Sequence, residues 1–120
     1  MSDNKELGLK LIGNALNEAA SIIATGADIS LLHKKAIEST MAYSITLGLS
    51  GMKNERFEKE PPLRFNSIYV TILKYSGGAM DLLVSMMGYT FKFENLPFRP
   101  GLESVEEYCT VERNPILRTL

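Results

Sequence analysis

A chain of 120 residues is enough for one domain, here residues 1–120, and for a core that needs neither metal nor disulfide support. With 45% hydrophobic and 22% charged residues the composition is globular, which excludes a disordered chain. The formal net charge is −1 and the bases alternate with acids, as in Lys53-Asn54-Glu55-Arg56-Phe57-Glu58-Lys59-Glu60, so no basic face is left for nucleic acid.

Between Lys5 and Thr25 the apolar residues Leu9, Ile12, Leu16, Ala19 and Ile23 fall at three-and-four spacing, which predicts a helix that buries one face. Leu11, Ala15 and Ile22 form a second stripe beside the first, so this helix is expected to pack on two sides. Gly26 stops it, and Asp28 or Ser30 is suited to cap the next one. A second helix is expected from about Ile29 to Leu49, with Ile37, Met41, Ile45 and Leu49 on one face and Lys34, Lys35 and Glu38 on another. Gly48 and Gly51 close the pair. The charged stretch to Glu60 reads as a loop or exposed edge strand, because Pro61-Pro62 removes ladder donors.

After the prolines, Ile68, Val70, Thr71 and Ile72 are β-branched and Tyr69 and Tyr75 favour strands, which predicts a strand over 65–74. Ser76-Gly77-Gly78 breaks it. Met80, Leu83, Val84 and Met87 then stand at helical spacing before Gly88, giving an expected third, short helix over 79–87. Tyr89, Phe91 and Phe93 alternate with Thr90, Lys92 and Glu94 as a half-buried strand. Pro97, Pro100 and Gly101 make an irregular turn that is expected to expose Leu96 and Phe98, and a last strand is expected from Val105 to Val111. The expected fold class is α+β: two N-terminal helices, then an antiparallel sheet with one inserted helix, in ααββαββ order.

Chemistry-bearing residues are few. His33 and Cys109 are the only His and Cys, so a hydrolytic or thiol pair has a single candidate of each kind. His33 stands between Leu32 and Lys34 and reads either as a solvated surface residue or as a ligand. Cys109 alternates with Tyr108 and Thr110 and reads either as a small buried hydrophobe or as a reactive thiol. One Cys and one His are too few for a zinc site, and closely spaced calcium ligands are lacking, so no metal or other cofactor is expected. Glu103, Glu106, Glu107 and Glu112 read as a solvated edge rather than an acid–base pair. Gly77-Gly78 reads as a backbone bend or as part of an anion cradle, without the full spacing of a phosphate loop. A single Cys, an N-terminus without basic-then-apolar order, and apolar runs shorter than the roughly 20 residues of a span lead to the expectation of a cytoplasmic protein that does not cross a bilayer.

Six methionines are present, and Met41, Met52, Met80, Met86 and Met87 lie in or beside expected buried elements. Flexible thioethers fill irregular cores, and they also line pockets and interfaces that adapt to what they bind. Met86 and Met87, adjacent on the expected third helix, would point to different sides, leaving one of them for a partner subunit.

Leu47-Gly48-Leu49, Gly77-Gly78-Ala79-Met80, Gly88-Tyr89-Thr90-Phe91 and Val105-Glu106-Glu107-Tyr108-Cys109 together resemble the 4-vinyl reductase family of small-molecule-binding domains, which is related to trafficking-complex subunits. The resemblance spans nearly the whole chain. Glu106 and Cys109 fit the first part of that family's C-terminal pattern, while Arg113-Asn114 stand where a Gly-Asp turn would be and Leu117 where a second cysteine would be. The metal-binding variants of the family are therefore not carried over. What the resemblance implies is a homodimer, with helix one packed partly on its twin, and an apolar ligand cavity between helices and sheet, walled by Met41, Ile45, Tyr69, Met80 and Phe91.

Two readings without catalysis come first, and an enzyme with Cys109 as its nucleophile stands third. In the first, a small, largely apolar molecule is held between helices and sheet, and the domain acts as a sensor or assembly module. In the second, the chain is a protein-interaction adaptor or inhibitor with no ligand, and Leu96 and Phe98 anchor a protein partner.

Overall fold

The computed structural model describes residues 3–23, 31–51, 68–76, 78–97 and 105–115. Among these residues it is an α+β fold in which three helices precede a four-stranded antiparallel sheet. Helix α1 spans Asp3–Glu18, α2 is the single turn Ala20–Ile23, and α3 spans Leu31–Gly51. The strands are β1 (Tyr69–Ser76), β2 (Ala79–Met86), β3 (Tyr89–Pro97) and β4 (Cys109–Arg113), in the order β1-β2-β3-β4, with a 3-10 turn, Val105–Tyr108, ahead of β4.

The expected third helix over 79–87 is strand β2, so ααββαββ gives way to helices first and strands after. Its residues alternate between half-buried and buried, with Met80, Leu82, Val84 and Met86 all inward. The helical spacing of Met80, Leu83, Val84 and Met87 is a second period that the same composition satisfies. Pairing with strands on both sides decides between them. Each flank is a two-residue hairpin link. Gly78 (φ 80°) lies between Ser76 and Ala79, which pair with each other. Met87 (φ 54°) and Gly88 (φ 82°) lie between Met86 and Tyr89, the primed turn that matches strand twist.

Two bulges flank Asp81 of the central strand β2. In β1 the register slips between Ile72 and Lys74, so Leu73 is the extra residue and Tyr75 returns to the inner face. In β3 two residues, Glu94 and Asn95, face Asp81 alone. Asn95 sits at φ 55° and its N–H donates to Asp81 Oδ1 at 3.0 Å. This extra residue shifts the parity of the strand, so Leu96 follows Phe93 onto the buried face. Leu96 is fully buried, not displayed in a turn. Phe98, and the charged stretch 53–60, lie outside the described residues.

The core lies between the inner sheet face and the helices. Ile12, Leu16, Ile37, Met41 and Ile45 meet Met80, Leu82, Phe91 and Phe93 in one continuous cluster. Helix α1 comes so close to β3 that a Cβ on Gly8 would clash with the Phe91 ring, and a Cβ on Gly48 of α3 would stand 2.5 Å from Leu11 Cδ2. Those two glycines set the spacing of the layers. At the edge, Ile72 N–H of β1 donates to Glu38 Oε2 of α3 at 2.8 Å, which covers a ladder donor that β2 does not use. Tyr75 OH donates to the Ile23 carbonyl at 3.4 Å, tying α2 to the same strand. At the far end of the sheet the Asn114 N–H donates to the Gly88 carbonyl (2.8 Å), Thr90 Oγ1 to Asn114 Oδ1 (2.6 Å), and Asn114 Nδ2 to Ser85 Oγ (3.4 Å). Arg113 and Asn114 thus close the β2–β3 turn, Arg113 Nη2 donating to Tyr89 OH at 3.1 Å.

Candidate functional site

Helix α3 uses one face for the core and leaves the other apolar. Ile37, Met41, Ile45 and Leu49, four residues apart, are buried against α1 and the sheet. On the opposite face, Leu32 (76% exposed), Tyr43 (67%) and Leu47 (54%) stand in water, with Ala36 and Ser39 between them and Ser50 beyond them along the same stripe. From Ser39 to Gly51 the helix contains no charged residue. Thr46 on this side turns its hydroxyl back to the Ala42 carbonyl at 2.8 Å, spending a polar group on its own helix. A solvated helix carries charged and polar residues on its outer face, whereas a helix apolar all round is normally a covered one.

The adjoining strand exposes apolar residues on the other face of the sheet. Tyr69 (64% exposed) and Leu73 (52%) of β1 face away from the core, Leu73 because the bulge leaves it unpaired. The Glu38–Ile72 bond fixes α3 along this strand on the inner face, so Tyr69 and Leu73 form a surface separate from the outer face of α3.

Of the residues expected to wall a cavity, Met41, Ile45, Met80 and Phe91 are brought together and fully buried in one packed cluster. Tyr69 is not among them, since it lies on the other face of the sheet. Met86 points into the core, and Met87, half-buried, occupies the hairpin turn. Met52 lies outside the described residues. The outer residues Leu32, Tyr43 and Leu47 were not among the expected anchors. Their signal is the uncharged run from Ser39 to Gly51, which the inward stripe alone does not require.

His33 and Cys109 are not brought together. His33 lies in the first turn of α3, which packs along β1, and Cys109 begins β4 at the opposite edge of the sheet. Cys109 is half-buried beside Phe93, its register partner, and burial pushes its thiol up to about 11, against a smaller lowering by the Lys92 backbone. At neutral pH it is the protonated thiol, a poor nucleophile. Among the described residues no group of three or more His, Cys, Asp or Glu side chains is placed to hold a metal ion. Glu106, Glu107 and Glu112 are exposed on the 3-10 turn and β4, and Glu103 lies outside the described residues. Among the described residues no helix is long and apolar enough to cross a membrane.

Comparison with known proteins adds no assignment: no family model matches the chain, and no match is found among the curated proteins or the solved structures.

Proposed function

We propose that this chain is a non-catalytic protein-interaction module whose contact surface is the outer face of α3. The carrying observation is the exposed Leu32–Tyr43–Leu47 stripe on a helix with no charge between Ser39 and Gly51. Large exposed aromatic and aliphatic side chains flanked by small ones are what an interface core is made of. The absence of catalysis is supported by the separation of His33 from Cys109 across the sheet and by the raised Cys109 thiol.

A small apolar ligand between helices and sheet is less well supported. Met41, Ile45, Met80 and Phe91 already shield one another there, and at Gly8 the approach to Phe91 leaves no room even for a methyl group. Affinity capture with the tagged chain, alongside the Tyr43→Asp/Leu47→Asp double variant, tests the interaction reading. Bound protein is lost from the variant while its circular dichroism is unchanged. An identical set of bound proteins, or a hydrophobic small molecule released on denaturation of the wild type, overturns it.

A further inference from the structure

We infer that Glu38 is a guard: its carboxylate holds the outer edge of β1 closed against strand pairing with β1 of a second copy. The guard acts at the sheet edge and is independent of the outer face of α3.

The two edges of the sheet are protected in different ways. Strand β4 is five residues long, carries Glu112 and Arg113, and follows Glu106 and Glu107, all of them exposed. A short edge with exposed charges resists the approach of another strand. Strand β1 has eight residues, and the run Ile68-Tyr69-Val70-Thr71-Ile72-Leu73 is β-branched, aromatic and aliphatic, with no charge, Pro or Gly. Such a segment on an open edge is prone to pair with its own copies. Among the described residues no strand lies beyond β1. Its protection has to come from elsewhere in the fold.

Helix α3 supplies it. Antiparallel pairing turns alternate N–H groups of β1 toward β2 and the others outward. The Ile72 N–H is an outward one, and it donates to Glu38 Oε2 at 2.8 Å. A strand arriving at this edge would have to place a carbonyl oxygen where the carboxylate already stands. Glu38 occupies that position and opposes the incoming oxygen with its charge, and its charge-assisted bond is stronger than the carbonyl bond that would replace it. The flanking Ile37 and Met41 are fully buried, so the guard is carried by a helix that the core holds in place. One residue further on, the bulge leaves Leu73 without a register partner and interrupts the regular run of outward groups beside the guarded one.

Removal of the carboxylate should open the edge. Glu38→Ala is expected to keep the wild-type circular dichroism when dilute and to sediment at twice the wild-type mass or more at about 100 μM, roughly a hundred times a micromolar Kd. Adding Thr71→Glu places a charge on the exposed outer side of β1 and should return this variant to the wild-type mass. Thr110→Glu, the same change at an exposed position of β4, should not. Glu38→Asp, one methylene shorter and unchanged in charge, should assemble as Glu38→Ala does, and it replaces the alanine variant if that chain unfolds. Wild-type mass in both Glu38 variants, loss of the wild-type circular dichroism in both, assembly that Thr71→Glu leaves intact, or assembly that Thr110→Glu reverses equally well would each overturn the guard.

Discussion

Helix α3 is more apolar than α1, and the two differ in where their apolar residues go. The wide arc of α1 finds both of its sides inside the chain: Leu11 meets Gly48 of α3, and Gly8 meets Phe91 of the sheet. Its exposed positions, Lys5, Glu6, Lys10, Asn14, Asn17 and Glu18, are polar. In α3 the inward stripe from Ile37 to Leu49 is satisfied in the same way, yet Leu32, Tyr43 and Leu47 meet nothing within the described residues that buries them. A two-sided helix in a sequence therefore does not say which side belongs to the fold and which to a partner. Only the tertiary neighbours assign the two.

The contrast can be broken by substitution. The largest effect is expected at Phe91, fully buried on β3 beneath α1. Phe91→Ala should cost about 3–5 kcal/mol in denaturant unfolding, and a loss under ~1 kcal/mol would mean that the helix layer is not seated there. Met41→Ala, on the inner face of α3, should cost about 2–5 kcal/mol, whereas Tyr43→Ala, two residues on, should leave the unfolding of the isolated chain within ~0.5 kcal/mol. Equal losses at 41 and 43 would erase the distinction between the two faces.

The glycines give a finer comparison. Gly8→Ala should destabilise by about 1–3 kcal/mol, because the buried Phe91 ring cannot move aside. Gly48→Ala should be near neutral, since the obstructing atom is a terminal methyl of Leu11 and alanine gains roughly 1 kcal/mol of helix propensity. A neutral Gly8→Ala would show that α1 lies farther from the sheet than described.

Much of this was legible in the sequence. The two long helices, the strand through Tyr69, the Tyr89-Phe91-Phe93 alternation and the α+β class follow from apolar spacing and turn residues. Strand β2 was not, because Met80, Leu82, Val84 and Met86 satisfy period two while Met80, Leu83, Val84 and Met87 satisfy a helical spacing. The overlooked signal was the pair of two-residue links, Gly77-Gly78 and Met87-Gly88, eight residues apart. Met87 hides the second, since that left-handed position ordinarily holds Asn or Gly. Met87→Asn should accordingly raise stability by about 0.5–1 kcal/mol, and no gain would question the turn. Leu96 was misplaced for a different reason. The bulge at Glu94 and Asn95 changes strand parity, and the Asp81 side chain across the sheet holds it.

At the sheet edge farthest from α3, Cys109 provides a pH reading of the same packing. Its thiol is raised in the folded state, so any stability tied to it is complete below the unfolded value near 9 and falls as pH rises toward about 11. Alkylation of the native protein should be slow at pH 7–8 and accelerate toward pH 11. A rate at pH 7.5 equal to that of the denatured chain would contradict the half-buried placement.

Affinity capture with the tagged wild type beside Tyr43→Asp/Leu47→Asp tests the central claim most directly. The wild type is expected to retain bound protein, and the double variant to lose it with unaltered circular dichroism. An identical set of bound proteins on both would contradict the assignment of the outer face of α3 to an interface.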